Sequence, residues 1–192
     1  MDFQSILVST GVVTLAEMGD KTQLLAFLLA AKYKKPVPII LGILFATILN
    51  HGLAGLLGSW ITHLLSPEIL RWVLGLSFIA MALWTLVPDK IDDDEASFGA
   101  KSGVFITTLV TFFLAEMGDK TQVATVAMAA HYSSPIMVVL GTTLGMMLAD
   151  VPAVFLGNSF AKKLPLKLIH SIAAGIFFVM GVLVLLKIDQ LF

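Results

Sequence analysis

The stretch Glu17-Met18-Gly19-Asp20-Lys21-Thr22-Gln23 recurs letter for letter as Glu116-Met117-Gly118-Asp119-Lys120-Thr121-Gln122, an offset of 99 (116 − 17) in a chain of 192 residues. Each copy lies inside a long apolar stretch. The chain is 58% hydrophobic and 13% charged, with mean hydropathy +0.95. A soluble domain carries about 25% charged residues, so the composition reads as an integral membrane protein. A carboxylate in hydrocarbon costs about 2.5–3.5 kcal/mol on insertion scales. A chain that places two of them in each repeat is most simply explained by a cation that needs them.

Working outward from the motifs, a bilayer core about 30 Å thick needs around 20 helical residues to cross it. Six segments qualify: 5–33, 36–62, 68–88, 102–132, 135–160 and 166–188. Pro36 and Pro135 stand where a helix would start, a favourable place for proline. The N-terminus lacks the basic start of a signal peptide, and a cleaved signal would not carry Glu17, Asp20 and Lys21, so the first segment is expected to be a retained helix. The repeat also extends past the motif. At the same offset Ala30-Ala31 matches Ala129-Ala130, Tyr33 matches Tyr132, Pro36 matches Pro135, Leu41-Gly42 matches Leu140-Gly141 and Gly58 matches Gly157. After a one-residue slip Phe78 aligns with Phe178.

The expected fold is therefore all-α and membrane-integral, with six transmembrane helices in two three-helix halves, 1–88 and 102–192, joined by an acidic linker, 89–101. Because each half has an odd number of helices, the second enters the membrane from the opposite side, the inverted-repeat plan of many secondary transporters. With the N-terminus outside, the inner loops hold Lys32, Lys34, Lys35, Lys90, Lys101, Lys162, Lys163 and Lys167. Outside the motifs, the outer side holds only Arg71 and Lys187. This positive-inside bias puts the linker in the cytoplasm and both termini outside.

On a continuous helix Glu17, Asp20 and Lys21 would share one face, and Glu116, Asp119 and Lys120 would repeat it from the other side. About 12 residues at 1.5 Å each put Glu17 some 18 Å into its segment, near the midplane, where a pseudo-two-fold axis would bring the motifs together. Gly19 and Gly118 loosen the first helix of each half at that level, and a broken helix frees carbonyls for an ion. Four carboxylates and two lysines sum to −2, which one divalent cation neutralises. The oxygen donors of Glu17, Asp20, Glu116 and Asp119, with Thr22, Gln23, Thr121 and Gln122 as secondary candidates, are hard ligands suited to Ca²⁺ or Mn²⁺. Without metal, four neighbouring acids in a low dielectric cannot all stay ionised, so protons and metal compete for the same oxygens.

A purely structural role, with internal salt bridges holding two helices together, is a wasteful use of so many intramembrane charges, since buried pairs often stabilise little. Lys21 and Lys120 are expected to brace the carboxylates rather than touch the cation. His51 aligns with Asp150, and Asn50 with Ala149, in the second helix of each half. His51 and Asp150 either take part in proton movement or set helix packing. Met18 and Met117 either tilt a hard site toward Mn²⁺ through a thioether or pack beside the helix break. Gly42, Gly52, Gly55, Gly58, Gly141 and Gly145 read as close-packing sites between helices, and His63, His131 and His170 as interfacial.

The paired Glu-x-Gly-Asp-Lys-Thr motif in inverted three-helix halves resembles the small calcium/manganese–proton exchangers related to the Golgi manganese/calcium transporter. The chain is similar over its whole length to the short bacterial members, manganese exporters of the MneA type. The resemblance implies a transporter moving Mn²⁺ or Ca²⁺ against protons, with Glu17, Asp20, Glu116 and Asp119 as the essential acids. Eukaryotic relatives usually have a longer N-terminal region and central loop, so the resemblance implies a bacterial inner membrane.

Two other classes share some of these features. A passive divalent channel would use the acids without proton coupling, but two motifs at one depth and no pore-loop segment favour alternating access. An intramembrane metalloenzyme would need an asymmetric acid/base set, which identical half-sites do not offer. The absence of cysteine excludes disulfides, thiolate metal sites and a cysteine nucleophile. The four histidines form no His-x-x-x-His pair, and no basic run is available to hold nucleic acid. The expected partners are a divalent ion, protons and lipid. The motifs leave the oligomeric state open. No permanent cofactor is expected, and Mn²⁺ or Ca²⁺ enters as the transported substrate.

Overall fold

A computed structural model describes residues 2–87, 103–156 and 165–188. Every helix or strand assigned among them is helical. The order is α1 Asp2–Glu17, α2 Lys21–Tyr33, α3 Pro36–Leu64, α4 Pro67–Thr85, α5 Val104–Glu116, α6 Lys120–His131, α7 Pro135–Leu156 and α8 Leu166–Leu185. The acidic linker, with Lys90 and Lys101, and the loop lysines Lys162 and Lys163 lie outside the described residues.

Prolines open α3, α4 and α7, where the missing N–H removes a donor that would have no helical partner. Ser66 caps α4 by accepting from the Ile69 backbone N–H, and Lys34 leaves α2 in a left-handed conformation with φ 54°. Four of the six expected segments are single helices long and apolar enough to cross a membrane: α3, α4, α7 and α8. The other two each divide at the motif, 5–33 into α1 and α2 and 102–132 into α5 and α6. Glu17 and Asp20 therefore do not share the face of one helix, as a continuous segment would require. Glu17 ends α1, and Asp20 precedes α2.

The polarity of the bundle is inverted relative to a soluble protein. Leu56 (71% exposed), Leu83 (66%) and Trp60 (58%) are turned outward, while Glu17, Thr47, Asn50, His51, Glu116, Thr121 and Asp150 are buried. This arrangement suits a hydrocarbon solvent, in which apolar side chains lose nothing by exposure and polar ones need protein partners.

The first helix of each half packs on the second helix of the other half: α1 lies along α7, and α5 along α3. Small residues permit the close approach. A Cβ on Gly141 would stand 2.7 Å from the Ile6 carbonyl, and one on Gly42 would stand 2.6 Å from Thr108 Cβ. Thr10 Oγ1 donates to the Gly141 carbonyl at 3.0 Å, tying α1 to α7. Helices α3 and α7 also touch, α4 pairs with α8, and α6 packs on α3. Gly52 does not fit the close-packing expectation, because nothing among the described residues lies within 4 Å of where its Cβ would sit. It lines an apolar groove between α3 and α7 instead.

Candidate metal centre

Both helix breaks are tight turns built by the same residues. The Asp20 N–H donates to the Glu17 carbonyl at 3.0 Å, and the Asp119 N–H to the Glu116 carbonyl at 3.1 Å. In the second copy Met117 has φ −63° and ψ 118°, and Gly118 has φ 76°. These are the angles of a type II turn, whose third position needs positive φ and therefore glycine. Gly19 has φ 84°. The sequence Glu-Met-Gly-Asp thus stops one helix and starts the next within a single turn.

The residues that follow brace the turn. Gln23 Oε1 accepts from the Gly19 N–H at 2.9 Å, and Gln122 Oε1 accepts from the Gly118 N–H at 2.7 Å. The other ends of these amides reach the opposite half at matched positions. Gln23 Nε2 donates to the Ala149 carbonyl at 2.9 Å, and Gln122 Nε2 to Asn50 Oδ1 at 3.0 Å. Asn50 stands where the repeat has Ala149, so a side chain does on one side what backbone does on the other. Each glutamine carbonyl thus has one lone pair engaged by the turn, which makes the pair braces between halves. Thr22 Oγ1 donates to Glu17 Oε2, and Thr121 Oγ1 to Glu116 Oε2 at 3.4 Å, so each threonine holds its glutamate across the break.

Asp20 and Asp119 occupy the N-cap positions of α2 and α6 with extended backbones, yet neither side chain caps its helix. Both are buried and meet the lysine of the other motif: Lys120 Nζ is 2.9 Å from Asp20 Oδ1, and Lys21 Nζ is 4.0 Å from Asp119 Oδ1. The lysines therefore brace carboxylates crosswise between the halves. The positive ends of α2 and α6 add to the stabilisation of this negative charge.

Glu17, Asp20 and Asp119 offer oxygens that all lie within 4.8 Å of one another, in fully buried positions. That spacing lets three carboxylates from two motif copies converge on one cation. Glu17 Oε1 and Asp119 Oδ2 have no hydrogen-bond donor among the described residues. Such atoms are costly in a buried site unless something else supplies the positive partner.

Glu116 stands outside this trio. Its Oε2 lies 3.3 Å from His51 Nε2, both side chains being fully buried. Asp150 is also fully buried, and neither of its oxygens has a hydrogen-bond donor among the described residues. The charges of Glu116, Asp20, Asp150 and Asp119 all act on Glu17. The core thus has two adjoining parts: the Glu17, Asp20 and Asp119 cluster, and a Glu116, His51 and Asp150 group on the α3 and α7 side. His170 lies against the first break. Its Nε2 donates to the Met18 carbonyl at 2.6 Å across 152 residues of sequence, a contact with no local signal.

An all-helical bundle among the described residues, with an apolar exterior and buried carboxylates at two matched helix breaks, defines a multi-pass membrane protein with a candidate cation site at its core. The family model described as "Divalent cation/proton antiporter GDT1" matches residues 5–93 and 104–190. The chain belongs to that family, whose members are transporters and not enzymes. It is 49% identical over 177 residues to a Vibrio cholerae protein named "Putative manganese exporter", covering 92% of this chain and 88% of that one. It is 29% identical over 193 residues to the GDT1-like protein sll0615 of Synechocystis (89% and 91% covered). With GDT1-like protein 5 of Arabidopsis thaliana the identity is 26% over 216 residues (93% and 94% covered). No solved structure matches the chain.

Proposed function

We propose that the protein exports Mn²⁺, with Ca²⁺ as the alternative substrate, from the cytoplasm in exchange for protons by alternating access. The observation that carries the reading is the convergence of Glu17, Asp20 and Asp119, from both motif copies, within 4.8 Å. Hard oxygen donors suit these ions. Lys21 and Lys120 hold the carboxylates in place and limit the negative charge. Glu116, paired with His51 and next to Asp150, is the adjoining acid that takes a proton or joins the ion when the site rearranges. Thr22 and Thr121 position the glutamates, and Gln23 and Gln122 the turns.

The architecture that goes with this mechanism is two inverted three-helix halves, 1–88 and 102–192, each with a broken first helix, joined by a cytoplasmic linker at 89–101. The matched Gln23 and Gln122 braces and the exchange of first helices between halves support it. The lysine bias supports termini outside the cytoplasmic membrane, and the Vibrio relative's name supports manganese as substrate. The test is flux in liposomes holding the purified protein, comparing Mn²⁺, Ca²⁺ and Mg²⁺ with and without an imposed pH gradient. Mn²⁺ movement coupled to opposite proton movement is expected. Metal flux without proton movement would leave a passive channel as the reading.

A further inference from the structure

The two motif copies are identical in sequence but not in environment. Around the first break the acid side is sealed, while Met18 and Gly19 of the turn itself are half-buried. Asp20, Lys120 and Gln23 are each 1% exposed, and Lys120 closes on Asp20 at 2.9 Å. The N-terminal end of α8 lies over the turn. A Cβ on Gly19 would stand 2.7 Å from Leu166 Cδ2, and His170 Nε2 donates to the Met18 carbonyl at 2.6 Å. A carbonyl only accepts, so the imidazole must present its N–H there.

Around the second break the matching groups are open. Met117 is 56% exposed, Gly118 is exposed, and nothing among the described residues lies within 4 Å of where a Gly118 Cβ would sit. Gln122 is half-buried, and Lys21, the partner of Asp119, keeps 21% of its side chain exposed at a looser 4.0 Å. An ammonium facing lipid would be costly, so that exposure is to water. With the one-residue slip the repeat counterpart of His170 is Leu70, which has no donor to offer.

We infer that the structure is one end-state of the transport cycle, and that His170 is the latch of its closed side, a positioning residue that must leave the Met18 carbonyl before an ion can reach Glu17 and Asp20 from the α8 end. The latch acts through the break, not through the ion. Releasing it uncovers the turn on which Glu17 and Asp20 are mounted, and Leu166 leaves with it as α8 moves. Under the proposed topology the sealed end is cytoplasmic and the open end faces outward, so loading for export requires His170 to let go. The inference rests on the alternating-access reading, but its test needs neither metal nor flux.

The chain has no cysteine, so single reporters Met18→Cys and Met117→Cys can be placed without removing a background. The rate of maleimide labelling is measured in nanodiscs, where water reaches both faces. In the state seen here M117C labels faster than M18C, since Met117 is 56% exposed while Met18 is half-buried beneath the end of α8. Adding His170→Ala should raise the M18C rate by about two- to tenfold, the population shift one lost hydrogen bond produces, and lower the M117C rate. His170→Gln, whose amide N–H can still meet the carbonyl, should restore the wild-type pattern. Equal labelling of the two reporters in the parent would overturn the state assignment. An M18C rate unmoved by H170A, or both rates rising together as in simple fraying, would overturn the latch. Liposome flux of the same variants reports coupling separately, so failure of the antiport reading and failure of the latch are told apart.

Discussion

Replacing Lys120 by methionine should be the most damaging single change among the motif residues that are not acids. Lys120 Nζ is 2.9 Å from Asp20 Oδ1, and both side chains are 1% exposed. Methionine keeps most of the volume and removes only the charge, leaving Asp20 buried beside Glu17 and Asp119. Breaking a buried pair by deleting one partner costs about 3–5 kcal/mol, because the remaining charge keeps its desolvation penalty. For a chain of this size that corresponds to a fall of about 6–20 °C in the thermal midpoint. The matched change, Lys21→Met, removes a 4.0 Å contact whose lysine is 21% exposed, and water screening limits its loss to about 0–1 kcal/mol. The assay is thermal unfolding of both variants in detergent without divalent metal, at neutral pH and again near pH 5. The K120M loss should shrink at the lower pH, because protonating a buried carboxylate that has lost its lysine removes the charge. Equal losses for the two variants, or a K120M loss below about 1 kcal/mol at neutral pH, would refute the reasoning that one crossed pair is sealed and the other open.

Glu17→Gln combined with Glu116→Gln should abolish Mn²⁺ flux in liposomes while the protein still inserts at normal levels; full flux would sink a site shared by both repeats. A cysteine at Asp93, in the linker outside the described residues, should resist an impermeant thiol reagent in intact cells, and ready labelling there would reverse the topology. Apparent metal affinity should rise with pH, since protons leave the shared oxygens as pH increases, and binding should release about one to two protons if the site charge is to stay near −2. Titrations in buffers of different ionisation enthalpy read this directly, and a pH-independent affinity would speak for a channel.

Much of the candidate site was legible because its signals are local or repeated. The duplicated acids stood out against an apolar background, and glycine after Glu-Met announced a break. Each lysine stands against the other motif's aspartate, a pairing that a helical spacing argument could not show. The same argument put Glu17, Asp20 and Lys21 on one helix face, which the Gly19 turn prevents. Gln23 and Gln122 were legible as secondary cation-site candidates, and their hydrogen bonds to the turn glycines are local; their bonds to Ala149 and Asn50 carry no local signal, because they span 126 and 72 residues of sequence.

By itself, the sequence determined that this chain is membrane-embedded, helical, duplicated, broken at Gly19 and Gly118, and supplied with buried acids at both breaks. Those properties follow from composition, periodicity and the φ that glycine alone adopts freely, all of which act within a few residues. Only the tertiary structure decided which acids meet. Packing of α1 on α7 and of α5 on α3 draws Glu17, Asp20 and Asp119 together and leaves Glu116 to His51. It also decided that identical motifs stand in different surroundings, with His170 and Leu166 over the first and neither over the second. A duplicated sequence specifies two equal halves. The inequality between them, with the end of α8 over the first break and the second turn exposed, is made by contacts between distant helices.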